Sequence, residues 1–115
     1  MIIIKLLIAG SRSINGFDLS GLIPDGTELI ISGGAKGADT VAEEYADKHK
    51  ISKLILRPSY DKYGKAAPLK RNELMVDIAD HVIVLWDGVS RGARHTIELA
   101  NKANKPVKVI LVPSK

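Results

Sequence analysis

The chain has 115 residues, which suits one domain of ordinary size and is too short for two. Hydrophobic residues make up 45% and charged residues 26%, a composition that is typical of a globular protein and argues against disorder of the whole chain. With 17 Lys and Arg against 13 Asp and Glu, the net charge is +4, which permits an anionic partner without establishing one. The absence of cysteine excludes disulfides and thiolate chemistry, and the 3 histidines lack metal-ligand spacing, so no metal site is predicted.

The amino-terminal segment does not read as a membrane or targeting element. Residues 2–9 are apolar, but Lys5 interrupts them and they are too few to span a bilayer. No basic region precedes them, as a secretory signal would require. We therefore expect a cytoplasmic protein that does not associate with membranes.

Five short apolar runs predict five β-strands, at residues 2–9, 29–31, 54–56, 81–86 and 107–112. The first run is continuous and β-branched, which indicates a strand buried on both faces. Pro58 stops the third run, while Pro106 and Pro113 bound the fifth.

Between these runs, apolar residues recur at helical spacing. One amphipathic stripe starts at Ala38, a second at about Arg71 and a third at about Ala93. Residues 13–26 are rich in Gly, Asp and Ser, and we expect at most one short helix there, at residues 17–22. Alternating strands and helices imply a single α/β domain over residues 1–115: a Rossmann-like three-layer sandwich with a five-stranded, mainly parallel sheet. In such folds ligands bind beyond the carboxyl ends of the strands.

Two of the strand ends carry residues suited to phosphate. The first strand ends in Gly10-Ser11-Arg12, which combines a flexible turn, a hydroxyl and a guanidinium. The second leads into a helix through Ser32-Gly33-Gly34-Ala35-Lys36-Gly37-Ala38-Asp39. Glycines before a helix start can turn successive amides toward an anion, with Lys36 adding charge and Asp39 capping the helix or accepting from a ribose hydroxyl. An ordinary glycine-rich turn capped by Asp39 is the alternative.

The segment at residues 57–71 reads as a long loop with five bases, one acid, and Tyr60 and Tyr63 among them. It is either a flap that closes over an anionic ligand, with Arg71 and Asn72 at the start of the next helix, or a solvated excursion.

The fourth strand ends in a further turn before a helix, Trp86-Asp87-Gly88-Val89-Ser90-Arg91-Gly92-Ala93. This turn suits a second anion site beside the first. Trp86 is suited either to stacking on a base or, more commonly, to filling the core. Asp87 is a candidate acid, base or ribose partner.

The ordered set of these turns, together with Lys70-Arg71-Asn72 and Asp80, resembles the SLOG superfamily over nearly the whole chain. The small single-domain branch, described as YspA-like or YpsA-related and common in bacteria and phages, is the most similar. The resemblance implies a Rossmann-like domain that binds nucleotides or nucleotide-derived ligands, with phosphate held by residues 33–37 and 90–92. Related proteins include lysine-decarboxylase-like phosphoribohydrolases and the DNA-processing protein A family.

The sequence departs from the hydrolases at their catalytic motif. Ala93 stands where that family has Thr, and Thr96 stands where it has the catalytic Glu. Glu98 lies two residues further on, about 200° away around a helix. The catalytic residues therefore stay unassigned, with Arg71, Asp87 and Glu98 as candidates.

Three functions remain open from the sequence. Binding or sensing of a small phosphorylated nucleotide ligand ranks first, with no certain cofactor. Cleavage of an N-glycosidic bond, with Asp39, Asp87 or Glu98 beside the anomeric carbon, ranks second. Binding of single-stranded nucleic acid through the basic loop and its tyrosines ranks third. A homo-oligomer is also expected. The ligand-binding residues that the sequence predicts are Gly10, Ser11, Arg12, Ser32, Gly33, Gly34, Ala35, Lys36, Gly37, Asp39, Arg71, Asn72, Trp86, Asp87, Gly88, Ser90 and Gly92.

Overall fold

Five parallel strands within residues 3–113 form one sheet. The structure is a computed structural model that describes these residues. The strands are β1 (Ile4–Gly10), β2 (Thr27–Ser32), β3 (Ser52–Ile55), β4 (His81–Trp86) and β5 (Val107–Leu111), and they lie in the order β3-β2-β1-β4-β5. All five predicted strands are confirmed, although the predicted start of the first at Ile2 lies outside the described residues.

In the described part of the chain, four α-helices connect or flank the strands: α1 (Ala38–Lys48), α2 (Tyr60–Tyr63), α3 (Ala67–Ile78) and α4 (Arg91–Lys102). On one face of the sheet, α1 packs against Leu6, Ile8 and Ile30. On the other face, α3 and α4 pack against Leu7, Ala9 and Val84. Alternate residues of β1 thus enter opposite cores, which explains why its sequence is continuously apolar. The predicted Rossmann-like three-layer α/β fold is confirmed.

The short helix that the sequence allowed at residues 17–22 does not form. This part of the β1–β2 connection consists of turns, in which the Ser20 amide donates to the Asp18 carboxylate (2.9 Å) and the Leu22 amide to the Leu19 carbonyl (3.0 Å). Side-chain oxygens of this kind compete with helical hydrogen bonds. Ile14 and Leu19 are nevertheless buried against the sheet, so the connection completes the core without being a helix.

The prediction that residues 57–71 form an unstructured loop is wrong. Helix α2 is followed by a 3-10 turn (Gly64–Ala66), and α3 then begins at Ala67 rather than near Arg71. Pro68 lies in the first turn of α3, where its missing N–H costs no helical hydrogen bond. The last predicted helix likewise begins two residues early, at Arg91.

The chain changes direction at the centre of the sheet. It proceeds from β1 outward through β2 to β3, then returns across the sheet to place β4 on the free side of β1. A crevice at such a reversal, beyond the carboxyl ends of the two central strands, is where doubly wound folds bind ligands. None of the helices between residues 3 and 113 has the length and apolar character that crossing a bilayer requires.

Candidate functional site

A cavity of about 310 Å³ opens at the carboxyl ends of β1 and β4, and we call it the main crevice. The start of α4 and one side of α3 complete its walls. The lining residues are Ala9, Gly10, Arg12, Ala35, Asp39, Pro68, Leu69, Arg71, Asn72, Met75, Ser90, Gly92, Ala93 and Thr96. Eight of them are among the predicted ligand-binding residues.

The end of β1 is tied closely to the end of β4. A Cβ atom at Gly10 would lie 2.0 Å from the Leu85 carbonyl oxygen, so only glycine allows this approach. Ser11 is buried, and its hydroxyl accepts the Asp87 amide (3.0 Å) and contacts the Ser90 hydroxyl (3.1 Å). Ser11 therefore positions the turn after β4 rather than lining the crevice, whereas Arg12 is exposed and does line it.

The turn after β2, residues 33–37, is called the first glycine turn. Two of its amides donate to side chains that flank it: the Gly34 amide donates to the Ser32 hydroxyl (3.2 Å) and the Ala35 amide to the Asp39 carboxylate (3.0 Å). Ser32 is buried and donates in turn to Glu43 (2.9 Å). The Gly34 and Ala35 amides are thus already occupied.

The carbonyls of the first glycine turn bind two arginines. Arg71 Nη1 donates to the Gly33 oxygen (2.8 Å) and to the Leu56 oxygen (3.2 Å). Arg57 Nη1 donates to the Gly34 oxygen (2.9 Å). The turn therefore orients positive side chains around the strand ends.

Asp39 and Arg71 influence each other across the crevice. Burial raises the pKa of Asp39, while the Ala35 amide and the Arg71 charge act in the opposite direction. Burial lowers the pKa of Arg71, and the Asp39 charge counteracts it. Arg71 Nε also donates to the Asn72 side-chain oxygen (3.1 Å), and the Asn72 amide nitrogen lies 3.3 Å from His95 Nδ1. These contacts fix the Arg71 head group at the crevice wall.

The turn after β4, residues 87–92, is called the second glycine turn. The Asp87 carboxylate accepts the amides of Val89 (2.9 Å) and Ser90 (2.8 Å), and also the Ser13 hydroxyl (2.9 Å). These hydrogen bonds, led by the Val89 amide, lower the pKa of Asp87 to about 2. Trp86 donates its indole N–H to the Ser90 carbonyl (3.0 Å) and packs on the core beneath α3 and α4. Asp87 and Trp86 thus stabilise the turn.

The start of α4 presents free donors to the crevice. Ser90 precedes the helix without a side-chain cap, and within residues 3–113 the amides of Arg91, Gly92 and Ala93 donate to no protein acceptor. Gly92 and Ala93 line the crevice directly. A helix start of this kind favours an anion, because unpaired amides and the helix dipole point toward it.

The structure separates the three catalytic candidates. Arg71 lines the main crevice, Asp87 is engaged in the second glycine turn, and Glu98 is exposed on α4 away from the lining residues. Lys36 and Gly88 are exposed and also lie outside the lining. Gly37 contacts the backbone of Ser11 and Arg12 instead of the crevice.

Six lining residues were missed by the prediction: Ala9, Pro68, Leu69, Met75, Ala93 and Thr96. Helix α3 contributes Arg71 and Met75, and α4 contributes Gly92 and Thr96, each pair four residues apart on one helix face. That spacing was readable in the sequence, but the start of α3 was placed too late to recognise its face.

Comparison with known proteins gives one informative relative. No protein-family model and no solved structure matches the chain. Over 85 residues it is 32% identical to the gene 61 protein of Mycobacterium phage D29, covering 69% of this chain and 68% of the phage protein. The chain belongs to the family of that phage protein. The relative's name states no activity, so function rests on the chemistry of the main crevice.

Proposed function

We propose that the protein binds a nucleotide, or a phosphate ligand derived from one, in the main crevice. The observation that carries this proposal is the meeting of two guanidiniums, Arg12 and Arg71, with the free amides at the start of α4 in one cavity. Guanidiniums and helix-start amides are both donors that match phosphate oxygens. The crevice also lies where the strand order reverses, which is the usual ligand position in this fold class.

The α3 wall of the crevice suits the rest of a nucleotide. Pro68, Leu69 and Met75 provide apolar surface against which a base or sugar can pack. Asn72 adds an amide, although His95 already contacts it. Membership of the SLOG superfamily, in its small single-domain branch, is part of this proposal, because that resemblance implies the same ligand class and the same strand ends.

Calorimetric titration tests the proposal. We expect binding of nucleoside monophosphates, ADP-ribose or dinucleotides by the unaltered protein, and Arg12→Ala should weaken it by roughly tenfold, the effect of losing one charged hydrogen bond. Arg12 is exposed, so the substitution should leave the unfolding midpoint nearly unchanged. Lys108→Ala is the matched control, because Lys108 is an exposed cation that lies outside the main crevice. A protein that binds none of these compounds, or that binds equally well without Arg12, would contradict the proposal.

A hydrolase acting at the same crevice is the second candidate, and Asp39 favours it. N-glycosidic cleavage needs a carboxylate beside the anomeric carbon. Among the lining residues Asp39 alone has a carboxylate, and burial raises its pKa. Incubation with nucleoside monophosphates should then release free base, and Asp39→Asn should abolish the release while binding persists. Binding without any base release would leave the first proposal standing and reject this one.

A further inference from the structure

A second cavity, of about 290 Å³, adjoins the main crevice, and we call it the arginine cavity. It shares Arg12, Ala35 and Arg71 with the main crevice, so the two form neighbouring compartments with common walls. Its remaining lining residues are Gly33, Gly34, Arg57, Pro58 and Tyr60.

Neutral backbone groups hold two arginines of this cavity in place. Arg57 donates one hydrogen bond from Nη1 to the Gly34 carbonyl. Arg71 donates from Nη1 to the Gly33 and Leu56 carbonyls. A guanidinium has five N–H donors, so each arginine keeps donors for another partner. A Cβ at position 34 would lie 2.7 Å from Arg57 Nη1, so the Arg57 head group packs directly against the backbone of this glycine.

The three guanidiniums gather without direct anionic partners. Within residues 3–113, no carboxylate oxygen lies within 4.0 Å of Arg12, Arg57 or Arg71, and the ion pairs found there involve lysines elsewhere. Burial is the main cause that lowers the pKa of Arg71, Asp39 opposes it, and the Arg12 charge adds a smaller lowering, as expected of like charges. Collecting three cations around one concave surface is unfavourable by itself, and an anion with more than one charge would relieve it.

We infer that the ligand is a diphosphate ester, with one phosphoryl group in the main crevice and a second in the arginine cavity. This inference rests on the proposed nucleotide-binding function and narrows its ligand class. The first phosphoryl group meets the start of α4, and Arg12 and Arg71 stand between the two compartments. The second phosphoryl group contacts Arg57 in the arginine cavity. Tyr60, which is 58% exposed, forms the outer rim and contacts whatever group extends beyond the second phosphate.

Calorimetry with matched pairs of ligands tests the inference. The unaltered protein is titrated with the monophosphate and the diphosphate of each common ribonucleoside at one ionic strength. For the base that binds, we expect the diphosphate to bind about tenfold more tightly, the effect of one added charged hydrogen bond. Arg57→Gln should reduce this preference to within about twofold, since the carboxamide removes the charge. Arg57→Lys, which keeps the charge, should retain most of the preference.

Lys62→Gln is the matched control, because Lys62 is an exposed cation of the same segment that lines neither compartment. Thermal unfolding of every variant verifies that it is folded. Equal affinity for monophosphate and diphosphate, or a preference that survives Arg57→Gln, overturns the inference while leaving nucleotide binding intact. Failure of all nucleotides to bind instead overturns the proposed function, and the inference with it.

Discussion

The two glycine turns look alike in sequence, but their backbone groups form different hydrogen bonds in the structure. Both follow a central strand and lead into a helix. In the first, the Gly34 and Ala35 amides are occupied by neighbouring side chains, and the carbonyls orient Arg57 and Arg71. In the second, Asp87 fixes the turn, and the following helix start keeps its amides free. Glycine content therefore does not indicate which turn has amides available to a ligand; the hydrogen-bond partners do.

This contrast assigns separate roles to the turns. The first supplies positive charge indirectly, through the arginines it positions. The second presents backbone donors directly to the main crevice. Substitutions can separate these roles, because the glycines of the two turns stand in different surroundings.

The largest effect is expected from Gly37→Ala in the first glycine turn. Gly37 has φ +84°, and a Cβ there would lie 2.4 Å from the Ser11 carbonyl oxygen. A strained conformation together with a backbone clash should lower the free energy of unfolding by about 3 kcal/mol. Urea denaturation measures this loss. An unfolding free energy within about 0.5 kcal/mol of the unaltered protein would show that the turn can move away from Ser11.

Gly92→Ala in the second glycine turn should have a smaller effect of opposite sign. Gly92 is the second residue of α4, and a Cβ there meets no atom within 4 Å. Alanine favours the helix and restricts the unfolded chain, so stability should rise by about 0.5 kcal/mol. The same urea titration measures it. Destabilisation would mean that Gly92 is required by its surroundings, as Gly37 is, and the contrast between the turns would fail.

The third comparison concerns the pH dependence of the two acids. Hydrogen bonds lower the pKa of Asp87 from 3.8 to about 2, so its ionised carboxylate stabilises the fold above about pH 4 and loses that contribution as the pH falls toward 2. The stability difference between the unaltered protein and Asp87→Asn should therefore shrink over that range. Burial raises the pKa of Asp39, so relative to Asp39→Asn the unaltered protein should gain stability as the pH falls toward 3.8.

Urea midpoints from pH 7 to pH 2 compare the two variants. The difference curves should slope in opposite directions, since one carboxylate is stabilised in its charged form and the other is penalised by burial. Parallel slopes would contradict the assignment of Asp87 to the second turn and Asp39 to the crevice wall.

The fold was predictable because its signal is repeated along the chain. Five apolar runs separated by helical periods leave few alternatives to a parallel sheet with helices on both faces. The exceptions lie where local composition misleads. Residues 64–68 contain Gly64, Lys65 and Pro68 and look like a loop, yet Pro68 is tolerated because it lies in the first turn of α3.

The site was predictable only in part. Strand ends are fixed by the topology, so Gly10, Arg12 and Asp39 could be placed near the crevice from the sequence alone. The direction of each amide and the partner of each arginine depend on tertiary contacts that no local pattern encodes. That is why Lys36 was expected at the ligand, whereas the guanidinium of Arg57, distant in sequence, lies against the first glycine turn.

Amide chemical shifts recorded during titration with a nucleoside monophosphate test the central claim most directly. We predict the largest changes at Gly92 and Ala93, which line the main crevice and whose amides are free, and small changes at Gly34 and Ala35, whose amides are already hydrogen-bonded. Changes concentrated at Gly34 and Ala35, or at the amino ends of the strands around Leu22 and His81, would contradict this claim.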